Sequence, residues 1–147
     1  MQKQEGKTMK CISLSQPMAW AIFHGKDIEN RTWATKFRGR VIIHAALSFN
    51  NEHYSWICEN ENRLEIKLPP FKHNFVFGAL IGEVDIMDCV DHHGSRWFFG
   101  KYGFVLANAK PYDKPIPYKG KLGLFDVPEN ILPIITVGEY EPSKQTR

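Results

Sequence analysis

Cysteine is scarce in this chain and its apolar runs are short. The three cysteines, Cys11, Cys58 and Cys89, are odd in number and widely spread, which argues against a disulfide framework and predicts a reduced, cytoplasmic setting. No run approaches the roughly 18 apolar residues that a membrane span needs, so no membrane partner is expected. Met1 to Lys7 carries charges with no apolar segment behind them, unlike a secretory signal. The chain has no Cys-x-x-Cys pair and no His-Glu-x-x-His helix, even around Asp88-Cys89-Val90-Asp91-His92-His93; the spacing is wrong for zinc, and no metal is expected. Gly94, Gly100 and Gly103 lack phosphate-loop spacing, so no cofactor is expected either. Ser13 and Ser15 lack the Gly-x-Ser-x-Gly elbow, so no serine hydrolase triad is expected.

What is present is the composition of a globular protein. Of 147 residues, 43% are hydrophobic and 24% charged, which suits one domain with a real core. The polar ends, residues 1–8 and 141–147, read as flexible tails around a single domain over residues 9–140. The net charge of +3 is small, but its distribution is uneven. Lys26, Arg31, Lys36, Arg38 and Arg40 stand against Asp27 and Glu29, a local balance of +3. Lys110, Lys114, Lys119 and Lys121 stand against Asp113, again +3. Two basic segments on an otherwise acidic chain form an anion-attracting face if the fold joins them, and a solvated lysine-rich surface if it does not.

Local patterns predict short elements. Cys11 to Leu14 reads as a strand, and Ser15-Gln16-Pro17 as a helix start with a hydroxyl cap and a first-turn proline. Met18, Ala19, Ile22 and Phe23 follow at helical spacing, with Gly25 as the stop. Ile28 to Trp33 alternates, placing Glu29, Arg31 and Trp33 on one strand face. Lys36 to Gly39 reads as a turn and Arg40 to Ala46 as a strand. Ser48 to Leu64 reads as a second helix capped by Ser48 or Asn50. Phe75 to Val90 is β-rich, with Gly78 and Gly82 predicting bulges or sharp curvature. Tyr102 to Asn108 is a further strand, Pro111 to Pro117 a stiff connection, and Leu122 to Val127 a closing strand or turn. The sum is an α+β domain, most simply a small mixed β-barrel flanked by two or more helices. His44, between Ile43 and Ala45, reads as a pocket-wall or core histidine, and Arg96 to Tyr102 interleaves aromatic and basic residues.

The informative stretch is Ser13 to Ala46. Gly25-Lys26-Asp27-Ile28-Glu29-Asn30-Arg31 sets a lysine, a carboxylate and a guanidinium at a helix-to-strand junction, a grouping that can order a polar pocket or form a surface ion-pair network. Together with Ser13-Leu14-Ser15-Gln16-Pro17, Trp33 and Arg38-Gly39-Arg40-Val41-Ile42-Ile43-His44-Ala45, this segment resembles the ASCH domain, a family of the PUA-like superfold. Gly78-x-x-Ile81-Gly82-Glu83-Val84 and Pro117-Tyr118-Lys119-Gly120-Lys121-Leu122-Gly123-Leu124-Phe125 are similar too, so the resemblance spans roughly Met9 to Pro128.

The resemblance implies a barrel with a cleft beside the first helix that binds RNA or a nucleotide-like small molecule. Some relatives hydrolyse an acetyl group from the exocyclic amine of cytidine, or cleave RNA. On that basis Trp20, Trp33 or Tyr102 would stack on a base, and Gln16 and Glu29 would bond its polar edge. Lys26, Lys36 and Arg38 would meet phosphates, with Ser15, Arg31 and His44 completing the lining. An enzyme using the same cleft would rely on Lys26 and Glu29 as catalytic residues. The deacylating relatives carry a threonine three residues after the motif lysine, where this chain has Glu29, so direct transfer of that chemistry is in doubt. A third possibility is a module that accepts a protein segment or metabolite, without nucleic acid.

Overall fold

The computed structural model describes residues 6–134. The expected tail at 141–147, residues 1–5 of the other, and the end of the expected domain at 135–140 lie outside the described residues. The order of elements is β1 (Thr8–Gln16), α1 (Met18–Ile22), β2 (Ile28–Arg31), β3 (Gly39–Phe49), α2 (Asn51–Glu59), α3 (Glu61–Leu64), β4 (Ala79–Val90), β5 (Tyr102–Pro117) and β6 (Leu124–Pro128). The six strands make one mixed sheet in the order β2-β5-β4-β3-β1-β6. Only β1 and β3 run parallel, with Ser13 opposite His44; the other pairings are antiparallel.

β3 reads as a continuous apolar run because both of its faces are covered, as central strands require. Val41, Ile43 and Ala45 join Ile12, Leu14, Ile28, Val84, Phe104 and the helices in the main core. Ile42 joins Cys11, Leu80, Phe125 and Val127 in a smaller core on the opposite face. The sheet is strongly curled. In the strand order β2 and β1 are four spacings apart, about 19 Å in a flat sheet at roughly 4.8 Å each. Yet the Arg31 guanidinium on β2 donates to the Ser13 carbonyl on β1 at 3.0 Å, far inside what a flat sheet would allow. The backbone ladder itself runs from β2 at one end to β6 at the other among the described residues.

Three expectations are corrected. Helix α1 is five residues and ends at Ile22, short of the stop expected at Gly25. Ser15 is not its cap: it belongs to β1, and the buried Gln16 amide accepts from the Trp20 N–H at 2.8 Å instead. The helix expected over Ser48 to Leu64 begins later and breaks. Ser48 and Phe49 extend β3, whose end is tied by the Asn50 N–H to the Gln16 carbonyl; Asn50 then caps α2 by accepting from the His53 N–H at 2.9 Å. At Asn60 the side chain bonds back to the Trp56 carbonyl at 2.7 Å, a local competition that separates α2 from α3. Finally, Pro111 to Pro117 is not a connection but the second half of β5, with Pro111 opposite Gly82 and Pro117 opposite Ala79. β2 pairs only with residues 102–105, so the rest of β5 is an edge on that side, where prolines are tolerated.

The register of β4 against β5 shifts between Leu80 and Gly82, where a bulge was expected. Gly82 is also needed for space: a Cβ there would lie 2.5 Å from the Phe23 ring and 2.7 Å from the Lys110 carbonyl oxygen. Gly82→Ala is therefore expected to lower stability by about 1–3 kcal/mol, read as a fall in the urea midpoint at unchanged slope.

Candidate functional site

A cleft of about 1080 Å³ opens between the C-terminal half of β1, the end of β3, β2 and the loop leading into β6. The period-two pattern of β2 turns Glu29 and Arg31 to the same side, and the turn after α1 brings Lys26 to them. Glu29 is the centre of this group. Its Oε1 takes the Lys26 ammonium at 2.9 Å, and its Oε2 lies 3.0 Å from Arg31 Nε. The Lys26 ammonium also donates to the Ile28 carbonyl. Lys26 is 3% exposed and Glu29 8%, so this cation–carboxylate–cation triad has a buried ion pair at its heart, with the half-buried Arg31 on its outer side, rather than being a solvated surface pair. Its net charge is positive, and Arg31 is the member that reaches the cleft while holding the Ser13 carbonyl.

The opposite wall is a second polar chain. Ser13 Oγ and His44 Nδ1 are 2.8 Å apart, and His44 Nε2 is 2.7 Å from the Tyr118 carbonyl oxygen. A carbonyl only accepts, so Nε2 carries hydrogen. In the neutral ring Nδ1 is then the acceptor, and the Ser13 hydroxyl donates to it. Tyr118 opens the rim loop of Lys119, Gly120, Lys121, Leu122 and Gly123, which lines the cleft. Gly120 packs on the pair so closely that a Cβ would lie 2.7 Å from His44 Cε1 and 3.0 Å from Ser13 Oγ. The exposed side chains of Leu47 and Leu122, with Met18, give the cleft an apolar flank beside its cations.

The structure brings together only some of the residues singled out in the sequence. Ser15, Glu29, Arg31 and His44 line the cleft, with Lys26 buried behind Glu29. Gln16 is 1% exposed, its amide taken up by the Trp20 N–H and by the Val76 carbonyl, to which it donates. Trp20 stacks on His24 with ring centres 4.0 Å apart, and Trp33 packs edge-on against Phe104. Arg38 pairs with Asp88 and, with Tyr102, lines a separate smaller groove; Lys36 is exposed and lines neither. Sequence reasoning missed Ser13, Ser48, His53, Tyr118 and the Leu47–Leu122 flank as lining residues. The basic segment through Lys121 and the family resemblance of Pro117 to Phe125 were the available signals for the rim loop. Among the described residues no group of three or more His, Cys, Asp or Glu side chains is placed to hold a metal ion, and no helix is long and apolar enough to cross a membrane.

Two consequences can be measured. Removing the carboxylate with Glu29→Ala leaves two cations without their counter-ion, and folding stability is expected to fall by about 3–5 kcal/mol by denaturant titration. His53 supplies a pH dependence. Burial first, and then the Lys26 charge, lower its pKa from the ordinary 6.5. The unfolded chain therefore binds this proton more readily than the folded one. The His53 contribution is complete above about pH 6.5 and is lost as pH falls from 6.5 through the lowered folded value. Stability measured between pH 7.5 and 5 is expected to drop less steeply in His53→Gln than in the wild type.

Comparison with known proteins agrees with the motif positions. The family model described as the ASCH domain matches residues 12–125, which takes in the second half of β1, the triad, β3, the rim loop and the start of β6. Activating signal cointegrator 1 from Homo sapiens is 34% identical over 120 residues, covering 75% of this chain, and its Mus musculus counterpart is 28% identical over the same length and share. The chain spans about a fifth of the length of these curated relatives, 21% in each case. With the family model matched from the first strand to the last, this chain belongs to the ASCH domain family.

Proposed function

We propose that residues 9–140 form one PUA-like domain that binds a single-stranded RNA segment or a nucleotide-like ligand in the cleft. The observation that carries this reading is the placement of Arg31, Lys119 and Lys121 around one concave, partly apolar space of about 1080 Å³. Cations supply phosphate contacts, which dominate affinity for nucleic acid. The flank of Met18, Leu47 and Leu122 offers surface for a splayed base, the element that RNA-binding proteins read when strands are unpaired. Arg31 gives more than a charge: its guanidinium is fixed between the Glu29 carboxylate and the Ser13 carbonyl, and that fixing favours directed contacts with a phosphate or a base edge.

Within this reading Lys26 and Glu29 are positioning residues, because both are buried and bonded to each other. The PUA-like barrel is taken as the curled six-stranded sheet with its gap bridged by Arg31 on Ser13. The likeness to activating signal cointegrator 1 bears on this domain alone, not on the rest of those longer chains.

Salt dependence tests the reading. Three cations on three phosphates of a single strand predict a logarithmic slope near −2, hence about a 20-fold loss of affinity from 50 to 200 mM salt. The double variant Lys119→Ala, Lys121→Ala is expected to bind more weakly at 50 mM and to lose only about 3-fold over the same range. Fluorescence anisotropy with a labelled oligoribonucleotide reads both. Undetectable binding at 50 mM, or an unchanged slope in the double variant, overturns it.

A further inference from the structure

The polar chain on the second wall has the parts of a nucleophile and its base. We propose that Ser13 is a catalytic nucleophile and His44 its general base, acting on a carboxylic ester whose alcohol portion carries negative charge. Four observations converge. The Ser13 hydroxyl is 2.8 Å from His44 Nδ1, and the Tyr118 carbonyl, 2.7 Å from Nε2, forces the tautomer in which Nδ1 accepts the serine proton. That carbonyl also stabilises the imidazolium that forms when the proton arrives, the role a third group plays behind any activated histidine. Arg31 donates to the backbone carbonyl of Ser13 at 3.0 Å and lines the same cleft, so the cleft holds a fixed guanidinium to answer the negative charge that develops on an attacked carbonyl. Both residues line the cleft, which has an apolar flank for an acyl group and Lys119 and Lys121 for an anionic alcohol.

The reaction balances with water alone. The Ser13 oxygen bonds to the ester carbon while its proton passes to His44 Nδ1, and the carbonyl pair moves onto oxygen beside Arg31. Collapse restores the carbonyl and breaks the bond to the alcohol oxygen, which leaves with the proton from Nδ1. Water then adds to the acyl-serine, gives a proton to Nδ1, and the Ser13 oxygen departs with it, releasing the acid. Gly120 is a positioning residue: its missing Cβ lets the rim loop lie against the pair without displacing it.

The proposal is independent of RNA binding, and its test does not use RNA. Incubate the whole chain with an alkyl fluorophosphonate, which a nucleophilic serine captures with loss of fluoride, and follow intact mass and peptide mapping. One adduct per chain is expected, on Ser13. Ser13→Ala is expected to abolish it, and His44→Ala to slow it by about 100-fold or more, the usual contribution of a positioned base. Near-ultraviolet circular dichroism establishes that each variant is folded. Should His44→Ala fail to fold, the Ser13→Ala comparison decides alone. A wild-type chain that stays unmodified overturns the proposal. So does an adduct that persists in Ser13→Ala, and so does equal labelling in a folded His44→Ala.

Discussion

The Glu29 carboxylate is the constraint on which the rest of the cleft depends. It is buried, and it stands between two cations, the buried Lys26 at 2.9 Å and the half-buried Arg31 at 3.0 Å. Buried charges are tolerated only when paired and further hydrogen-bonded, and here each is. Lys26 takes the Ile28 carbonyl as a second acceptor, and Arg31 takes the Ser13 carbonyl. The triad therefore fixes three pieces of chain at once: the turn after α1, the short strand β2, and β1. A four-residue strand at the end of a sheet has little ladder to hold it. The ionic group adds what its few backbone bonds lack, and it does so at the place where the sheet must curl.

That role explains how much of the site could be foreseen. The spacing Gly-Lys-x-x-Glu-x-Arg put the three charges together because alternation on a strand is a local property, and the contact within it is three residues long. Core strand β3 was legible for the same reason, from its continuous apolar run. The opposite wall was not. Ser13 and His44 are 31 residues apart and meet only because β1 and β3 pair in parallel with those two residues opposite each other. No sequence motif announces such a pair, and the absence of a nucleophile elbow, true as far as it goes, concerns a different local geometry. The Tyr118 to Gly123 loop joins them through a contact of still longer range, 74 residues from His44.

The aromatics show the converse failure. Trp20 and Trp33 stood near the motif in sequence and were natural stacking candidates, yet Trp20 turns to His24 and Phe75, and Trp33 to Phe104. Large rings near a short helix are claimed first by the core, because each buries far more apolar area than its neighbours. Arg38 and Lys36 lie beyond the triad on the path to β3, and Arg38 is drawn to Asp88 on β4. Charge that looked like one basic segment is thus divided by the fold: Arg31 goes to the large cleft and Arg38 to another groove. The second segment is divided likewise, with Lys119 and Lys121 on the rim and Lys110 and Lys114 on the edge of β5.

The two walls are not independent, because they share Ser13. Its backbone carbonyl is held by Arg31, the outer member of the ionic triad, and its hydroxyl is held by His44, the inner member of the chain that anchors the rim loop. A shift of β1 at this residue changes both contacts together, so the energies of the two networks are coupled rather than additive. This coupling also sets the chemistry of the cleft. The carboxylate that neutralises part of the Arg31 charge tunes how strongly the guanidinium draws on an anion, while the Tyr118 carbonyl sets which nitrogen of His44 receives a proton. One small residue on a parallel strand pair, through its carbonyl on one side and its hydroxyl on the other, thereby joins a fixed positive group to an oriented acceptor within the same concave surface. That junction, more than the basic rim, distinguishes this cleft from a merely charged groove.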